Sequence, residues 1–314
     1  MAGGQGQRPE LMMNASARGL PSRLLGAKRL RVGSLALAAP ATVGLLVFFI
    51  APLVAFAVYS FLTGALYDVK APLTLENYRE AFDSELNREL GRNSLVVGAL
   101  AAVAAVFFAL PIAYWLRYAA GRWRTIVLFL ILASFVASYL VRIYAWRSIL
   151  GGNGLINRGL TELGLIDQPL DFLLYNRFAV IIALVHIYLP YVVLVLYAGL
   201  APLQPSYLET AQDLGAGWVQ RWRRVILPLV AAPAASALLF VFVLSASDYV
   251  TPQFLGGTNG ALLGVQVQVS FVGTGDYAAG AAISFAMLAG FLTCYALIAL
   301  GLRLMRLDRV RFAA

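Results

Sequence analysis

The residues able to do chemistry in this chain are few, and their types favour recognition over catalysis. Its 314 residues include one histidine, His186, one cysteine, Cys294, and two lysines, Lys28 and Lys70. A lone histidine cannot assemble a His-based metal site, and a lone cysteine in an apolar run reads as a small buried side chain. Neither lysine sits in the Gly-x-x-x-x-Gly-Lys-Ser/Thr context that cradles nucleotide phosphates. No catalytic residue, metal or cofactor is therefore expected in this chain. Arg142, Tyr144, Trp146, Asp248 and Tyr249 have a chemistry suited to a solute path: a carboxylate could meet an ammonium group, and the rings could face an alkyl-ammonium chain. The alternatives are an interfacial aromatic belt for the rings and an Asp248–Arg142 ion pair. Arg142 also counts against a purely cation-selective path. His186 is expected to be hydrogen-bonded among packed helices.

The elements that would position these groups are membrane spans. Apolar residues make up 61% of the chain and charged residues 12%, with a mean hydropathy of +0.79, against roughly 25% charged residues in soluble domains. Crossing a bilayer core of about 30 Å takes about 20 apolar residues. Six runs qualify: Ala36–Phe61, Leu95–Tyr114, Thr125–Tyr144, Ala179–Leu200, Val225–Leu244 and Ala282–Leu302. An all-α polytopic bundle follows, with residues 33–306 as one membrane domain between a basic tail over 1–32 and a short tail over 307–314. The glycine-rich stretch 256–275 is too short in its apolar run to span, so it is expected to be re-entrant or interfacial.

Charge sets the expected direction. With the amino terminus in the cytoplasm, the inner face carries 16 basic residues against four acids, and the outer face eight against 11. Both termini are thus expected to be cytoplasmic. The net charge of +9 is assigned to anchoring against membrane lipid, not to nucleic acid. The outer stretch from Leu62 to Gly91 has six acids and three basic residues, a face open to a soluble partner.

Between the fourth and fifth runs lies the loop 205–228. Ser206-x-x-Glu209 has the form of a capping box, and Gly215 suits the left-handed position that ends a helix. Tyr207, Ala211 and Leu214 recur at helical spacing. A helix of about two turns is marginal in water alone, so its apolar stripe should be covered, by a partner or by the bilayer surface.

The order Glu209-Thr210-Ala211, three residues, Gly215, nine residues, Val225-Ile-Leu-Pro228 resembles the EAA loop of ABC importer permeases. Thr210 and Val225 depart from the family's alanine and isoleucine. The resemblance implies a type I ABC importer permease fold and a coupling helix that docks in a cytoplasmic ATPase dimer. Glu209, Thr210, Ala211, Asp213, Leu214, Gly215 and Pro228 would carry that coupling, while the partner binds ATP and Mg. Asn93-Ser-Leu, Ser138 to Trp146, Gly154-Leu-Ile-Asn157, Ile166-Asp167, Ser247 to Pro252 and Leu255-Gly-Gly257 are similar to the B-type permease subunits of spermidine/putrescine importers. That likeness implies uptake of a polyamine, a distinct C-type permease partner and a periplasmic solute-binding protein. Its alternatives are another small solute (an amino-acid derivative, an opine or another small organic ion) or an ATP-independent secondary transporter. The latter lacks support, because no span carries a charge at its middle. A membrane-embedded enzyme has too few reactive groups.

Overall fold

The computed structural model describes residues 39–304, with side chains to 301. The tails expected over 1–32 and 307–314 lie outside the described residues. By internal packing the chain forms two units, one ending at Ala55 and one beginning at Phe56. The first apolar run forms α1, Ala39–Tyr59. A wide turn over Leu46–Ile50, in which the Ala51 amide reaches five residues back to the Leu46 carbonyl, immediately precedes Pro52. Proline lacks an amide and crowds the carbonyl four residues before it, and a local widening of the helix absorbs both effects.

The second unit takes in the last turn of α1 and continues with an antiparallel hairpin, β1 (Leu62–Ala65) and β2 (Asp68–Leu73), followed by α2 (Glu76–Asp83). The long helix α3 (Glu85–Tyr118) starts with Ser84 capping the Asn87 amide. Next come α4 (Arg124–Val136), α5 (Tyr139–Leu150), α6 (Leu155–Glu162) and α7 (Arg177–Gly199). The remaining helices are α8 (Pro205–Asp213), α9 (Trp218–Ala246), α10 (Leu263–Gly273) and α11 (Tyr277–Leu304).

Five of the expected runs appear as continuous helices, and the third does not. Thr125–Tyr144 was expected to be one span, but Ala137 and Ser138 take extended conformations, with ψ of 141° and 135°. The helical stretch beyond the break leaves the stretch before it at 95°. With 13 residues, α4 reaches about 20 Å at 1.5 Å per residue, short of a core of about 30 Å. The apolar pattern runs through the break because neither residue there is glycine or proline.

α3, α7 and α9 form the centre of the second unit. Gly98, Ala102, Ala105, Ala109 and Ala113 make one buried stripe of small residues along α3. Without a hydrophobic drive between helices in lipid, such stripes let backbones approach and gain dispersion contact. A Cβ at Gly98 would lie 2.8 Å from the Ala246 Cβ and 3.1 Å from the Phe242 carbonyl oxygen. At the other end, a Cβ at Gly199 would meet the Pro233 ring at 2.5 Å. The glycine-rich stretch folds back against the start of α3: Ser94 Oγ accepts from the Leu263 amide (2.9 Å) and Asn93 donates to the Ala261 carbonyl (3.3 Å). Both side chains are buried. Gly98→Val should force α3 and α9 apart and cost about 1–3 kcal/mol, read as a lower midpoint of thermal unfolding of the detergent-solubilised protein.

Candidate functional site

Two places bring the candidate residues together, one at each end of α9. At the first, the helix expected in the 205–228 loop is present as α8. Its start differs from the expected capping box: Gln204 is the cap residue, no side chain caps the amides, and Pro205 occupies the first turn. Proline suits that position because its missing amide and fixed φ cost nothing there; it moves Ser206 inside the helix, where its hydroxyl cannot cap. The end is as expected. Gly215 has φ +81°, its amide donates to the Gln212 carbonyl (2.8 Å) and the Ala216 amide to the Ala211 carbonyl (2.9 Å). These paired bonds close the helix with a Schellman turn.

The expected apolar stripe of α8 divides between two faces. Leu208 is 8% exposed and joins the bundle core, with Ala211 half-buried beside it. Tyr207 and Leu214 point outward, Leu214 at 83% exposure, next to exposed Trp218 and Val219. Glu209, Thr210 and Asp213 are exposed along the same helix. The segment is held firmly from behind. The Tyr118 hydroxyl donates to the Leu203 carbonyl (2.9 Å), Arg117 to the Ala201 carbonyl (3.0 Å), and Arg221 of α9 to Gln212 Oε1 of α8 (3.1 Å). Pro228 lies inside α9, accommodated by a second wide turn over Trp222–Ile226 in which the Leu227 amide reaches the Trp222 carbonyl. A four-residue turn thus separates α8 from a helix that continues without a break to Ala246.

At the second place, the far end of α9 meets the break between α4 and α5. Asp248 is 9% exposed. Its carboxylate accepts from the Tyr139 hydroxyl (2.7 Å) and from the amides of Val250 (3.0 Å) and Thr251 (3.3 Å). Tyr139 and Thr251 Oγ1 lie 2.8 Å apart, so the threonine hydroxyl donates to the tyrosine oxygen. No ion pair joins Asp248 to Arg142: among the described residues the ion pair is Arg79–Asp83. Arg142 serves the backbone instead. One guanidinium nitrogen donates to the Ala137 carbonyl at the break (3.1 Å) and another to the Ile187 carbonyl in α7 (3.0 Å). Peptide groups exposed by a broken helix have no water to bond inside a bilayer, and an arginine fork supplies two donors at once. Trp146 Nε1 donates to His186 Nδ1 (3.2 Å), so the histidine is hydrogen-bonded to a neighbouring helix as expected, but on an exposed face of α7.

Arg142 and Asp248 therefore converge on the break; Trp146 meets His186 further along α5, and Tyr144 and Tyr249 stay half-exposed. Tyr144 packs its ring edge against Phe254 at 5.2 Å. Tyr139 and Thr251, which complete the network, were not singled out by the sequence reading. The available signal was their place inside the stretches Ser138 to Trp146 and Ser247 to Pro252, beside residues already chosen.

A helical bundle with one span broken against a buried polar network, and a capped helix projecting from one end, defines a polytopic membrane transport subunit. Residues 90–307 match the profile of the family described as binding-protein-dependent transport system inner membrane component, and the chain belongs to that family. It is the permease subunit of an ABC importer, a transport component and not an enzyme. It is 34% identical over 219 residues to the spermidine/putrescine transport system permease protein PotB of Escherichia coli K12, covering 70% of this chain and 79% of that protein. PotB of Haemophilus influenzae is 32% identical over 216 residues, covering 69% and 75%. The fold also matches a chain of a bacterial ABC transporter involved in the import of the acidic polysaccharide alginate, with TM-score 0.72 at 18% identity, over 93% of this chain and 100% of that one.

Tyr139→Phe should leave the buried Asp248 carboxylate and the Thr251 hydroxyl each short of a partner. A loss of about 1–3 kcal/mol is expected, against less than about 0.5 kcal/mol for Tyr144→Phe at the exposed ring. Thermal unfolding of the two variants side by side measures the difference.

Proposed function

We propose that this chain takes up a polyamine of the spermidine/putrescine class, driven by an ATPase that docks on α8. The carrying observation is α8 itself: a short helix closed by the Gly215 turn, anchored through Leu208, and presenting Leu214 outward. Leaving a leucine and a tryptophan in water at a loop tip is unfavourable, and a groove on a partner would remove that cost. The partner in this reading is a cytoplasmic ABC ATPase dimer that binds ATP and Mg. The Glu209–Asp213 face would be read by it, and Pro228 would pass its motion into α9.

The distribution of basic residues supports an orientation with both termini and α8 in the cytoplasm. A periplasmic solute-binding protein would then meet the opposite end, where the hairpin and α2 lie; the family's description as binding-protein-dependent supports this. The second permease is read as a distinct, C-type subunit, on the B-type resemblance. The polyamine reading rests on the two PotB relatives. Within the chain, the half-exposed rings of Tyr144 and Tyr249 suit an alkyl-ammonium solute by cation–π attraction. Asp248, already hydrogen-bonded three times, acts as the brace of the path.

The test is uptake of labelled spermidine by the whole importer reconstituted in vesicles with ATP inside and its binding protein outside. Saturable, ATP-dependent uptake is expected. Leu214→Asp or Gly215→Asp should lower it at least about tenfold, the loss of about 1.4 kcal/mol of docking energy, without lowering the amount of assembled permease. Uptake of an organic anion with spermidine ignored would overturn the solute; full uptake by both variants would overturn the docking.

A further inference from the structure

α2, α3, α10 and α11 line a half-open cavity of about 400 Å³ that shares no lining residue with α8 or with the Asp248 network. Its inner walls are apolar: Leu95, Leu263, Ile283, Met287 and Phe291, with Gly290 leaving open space where a Cβ would point. Arg88 and Arg92, one helical turn apart on α3, line its outer end. The same two arginines line an adjoining surface recess with Glu85 and Glu89. Arg88 spends one donor on the Asp83 carbonyl, and neither arginine forms an ion pair among the described residues.

Depth decides what kind of ligand this is. α3 has 34 residues, about 51 Å at 1.5 Å per residue, against a hydrocarbon core of about 30 Å. With the buried Ala102–Ala105 stretch near the midplane, Arg92 lies about 15 Å away along the helix, at the edge of the hydrocarbon. Arg88 lies about 6 Å further out, at headgroup level. The cavity therefore runs from the headgroup layer into the hydrocarbon, polar above and apolar below.

Charge decides between a lipid and a helix of another subunit. The outer end presents two arginines beside two glutamates at headgroup level, a pairing that a zwitterionic headgroup complements. The apolar slot of about 400 Å³ takes an acyl chain.

We propose that this cavity is a binding site for an aminophospholipid. One acyl chain fills the apolar slot, the phosphate meets Arg88 and Arg92 as charge-assisted acceptor, and the primary ammonium meets Glu85 and Glu89. The paired charges of the protein complement a zwitterion better than an anion. The site does not depend on which solute is carried or on how ATP is coupled.

Native mass spectrometry of the intact importer with added palmitoyl-oleoyl phosphatidylethanolamine tests this. One molecule retained per copy of this chain is expected. Arg88→Gln with Arg92→Gln should weaken retention roughly 25-fold, two charges at about a factor of five each. Gly290→Leu, which fills the slot from below, should displace the lipid. Arg79→Gln, an exposed charge on α2 away from the cavity, should change nothing. Unchanged retention in both the arginine pair and Gly290→Leu would overturn the site, and equal retention of phosphatidylglycerol would overturn the headgroup. A photocrosslinker replacing Met287 should capture lipid; capture of the second permease subunit would equally overturn the proposal.

Discussion

A peptide group inside a bilayer must find its hydrogen bond within the protein, because no water is there to supply it. That constraint governs the most irregular part of this structure. The helix broken at Ala137–Ser138 leaves the Ala137 carbonyl open, and Arg142 closes it while reaching the Ile187 carbonyl in the neighbouring helix. The turn that ends α9 leaves the amides of Val250 and Thr251 open, and Asp248 takes both. Ser94 accepts the Leu263 amide where the glycine-rich stretch begins its short helix. Each repair uses a side chain from a different element or from across a turn. The breaks are therefore also the points at which elements are locked together, and removing a repair loosens both.

Close packing makes those locks matter at a distance. The small-residue stripe on α3 and the Gly199–Pro233 contact bring α3, α7 and α9 within backbone reach of one another. α9 runs 29 residues from Trp218 to Ala246, about 43 Å, from the turn behind α8 to the Asp248 network. The widened turn before Pro228 absorbs the proline locally and leaves the axis continuous. In the proposed reading, a displacement at α8 moves α9 as a body and so moves the brace on Tyr139 at the start of α5. Rocking of rigid elements about a fixed site is the way such repeats and bundles alternate access.

Most of this was legible in the sequence where the signal is long or the backbone requirement is strict. Runs of about 20 apolar residues located five continuous spans, and Gly215 marked its turn because few other residues hold a left-handed conformation. The break in the third run was invisible because Ala137 and Ser138 interrupt neither the apolar pattern nor the helix propensity; what allows it is Arg142, five residues on. Ser206 was misread as a cap because the S-x-x-E pattern is satisfied one residue late: Pro205 had already started the helix. The Asp248–Arg142 pair was a reasonable expectation from opposite charges at matching ends of two spans. Backbone groups opened by the break and by the end of α9 engage both side chains instead, two carbonyls on Arg142 and two amides on Asp248, and charge-assisted bonds of this kind are among the stronger ones a side chain can make.

The same competition bears on how a cationic solute would be handled. A free carboxylate in a dry path would bind an ammonium group tightly, and a transporter that binds tightly releases slowly; conduction needs contacts favourable enough to enter and weak enough to leave. Asp248 is engaged by a phenol and two amides, so a passing ammonium would have to displace bonds already made. In the proposed path, half-exposed rings such as Tyr144 and Tyr249 would offer about 0.5–1 kcal/mol each, an attraction of the size a moving solute can leave. Arg142, its guanidinium turned to two carbonyls, would in the same reading disfavour a cation that lingers near the break. In the proposed reading, a network built to satisfy the backbone would leave the path with shallow sites and not a trap.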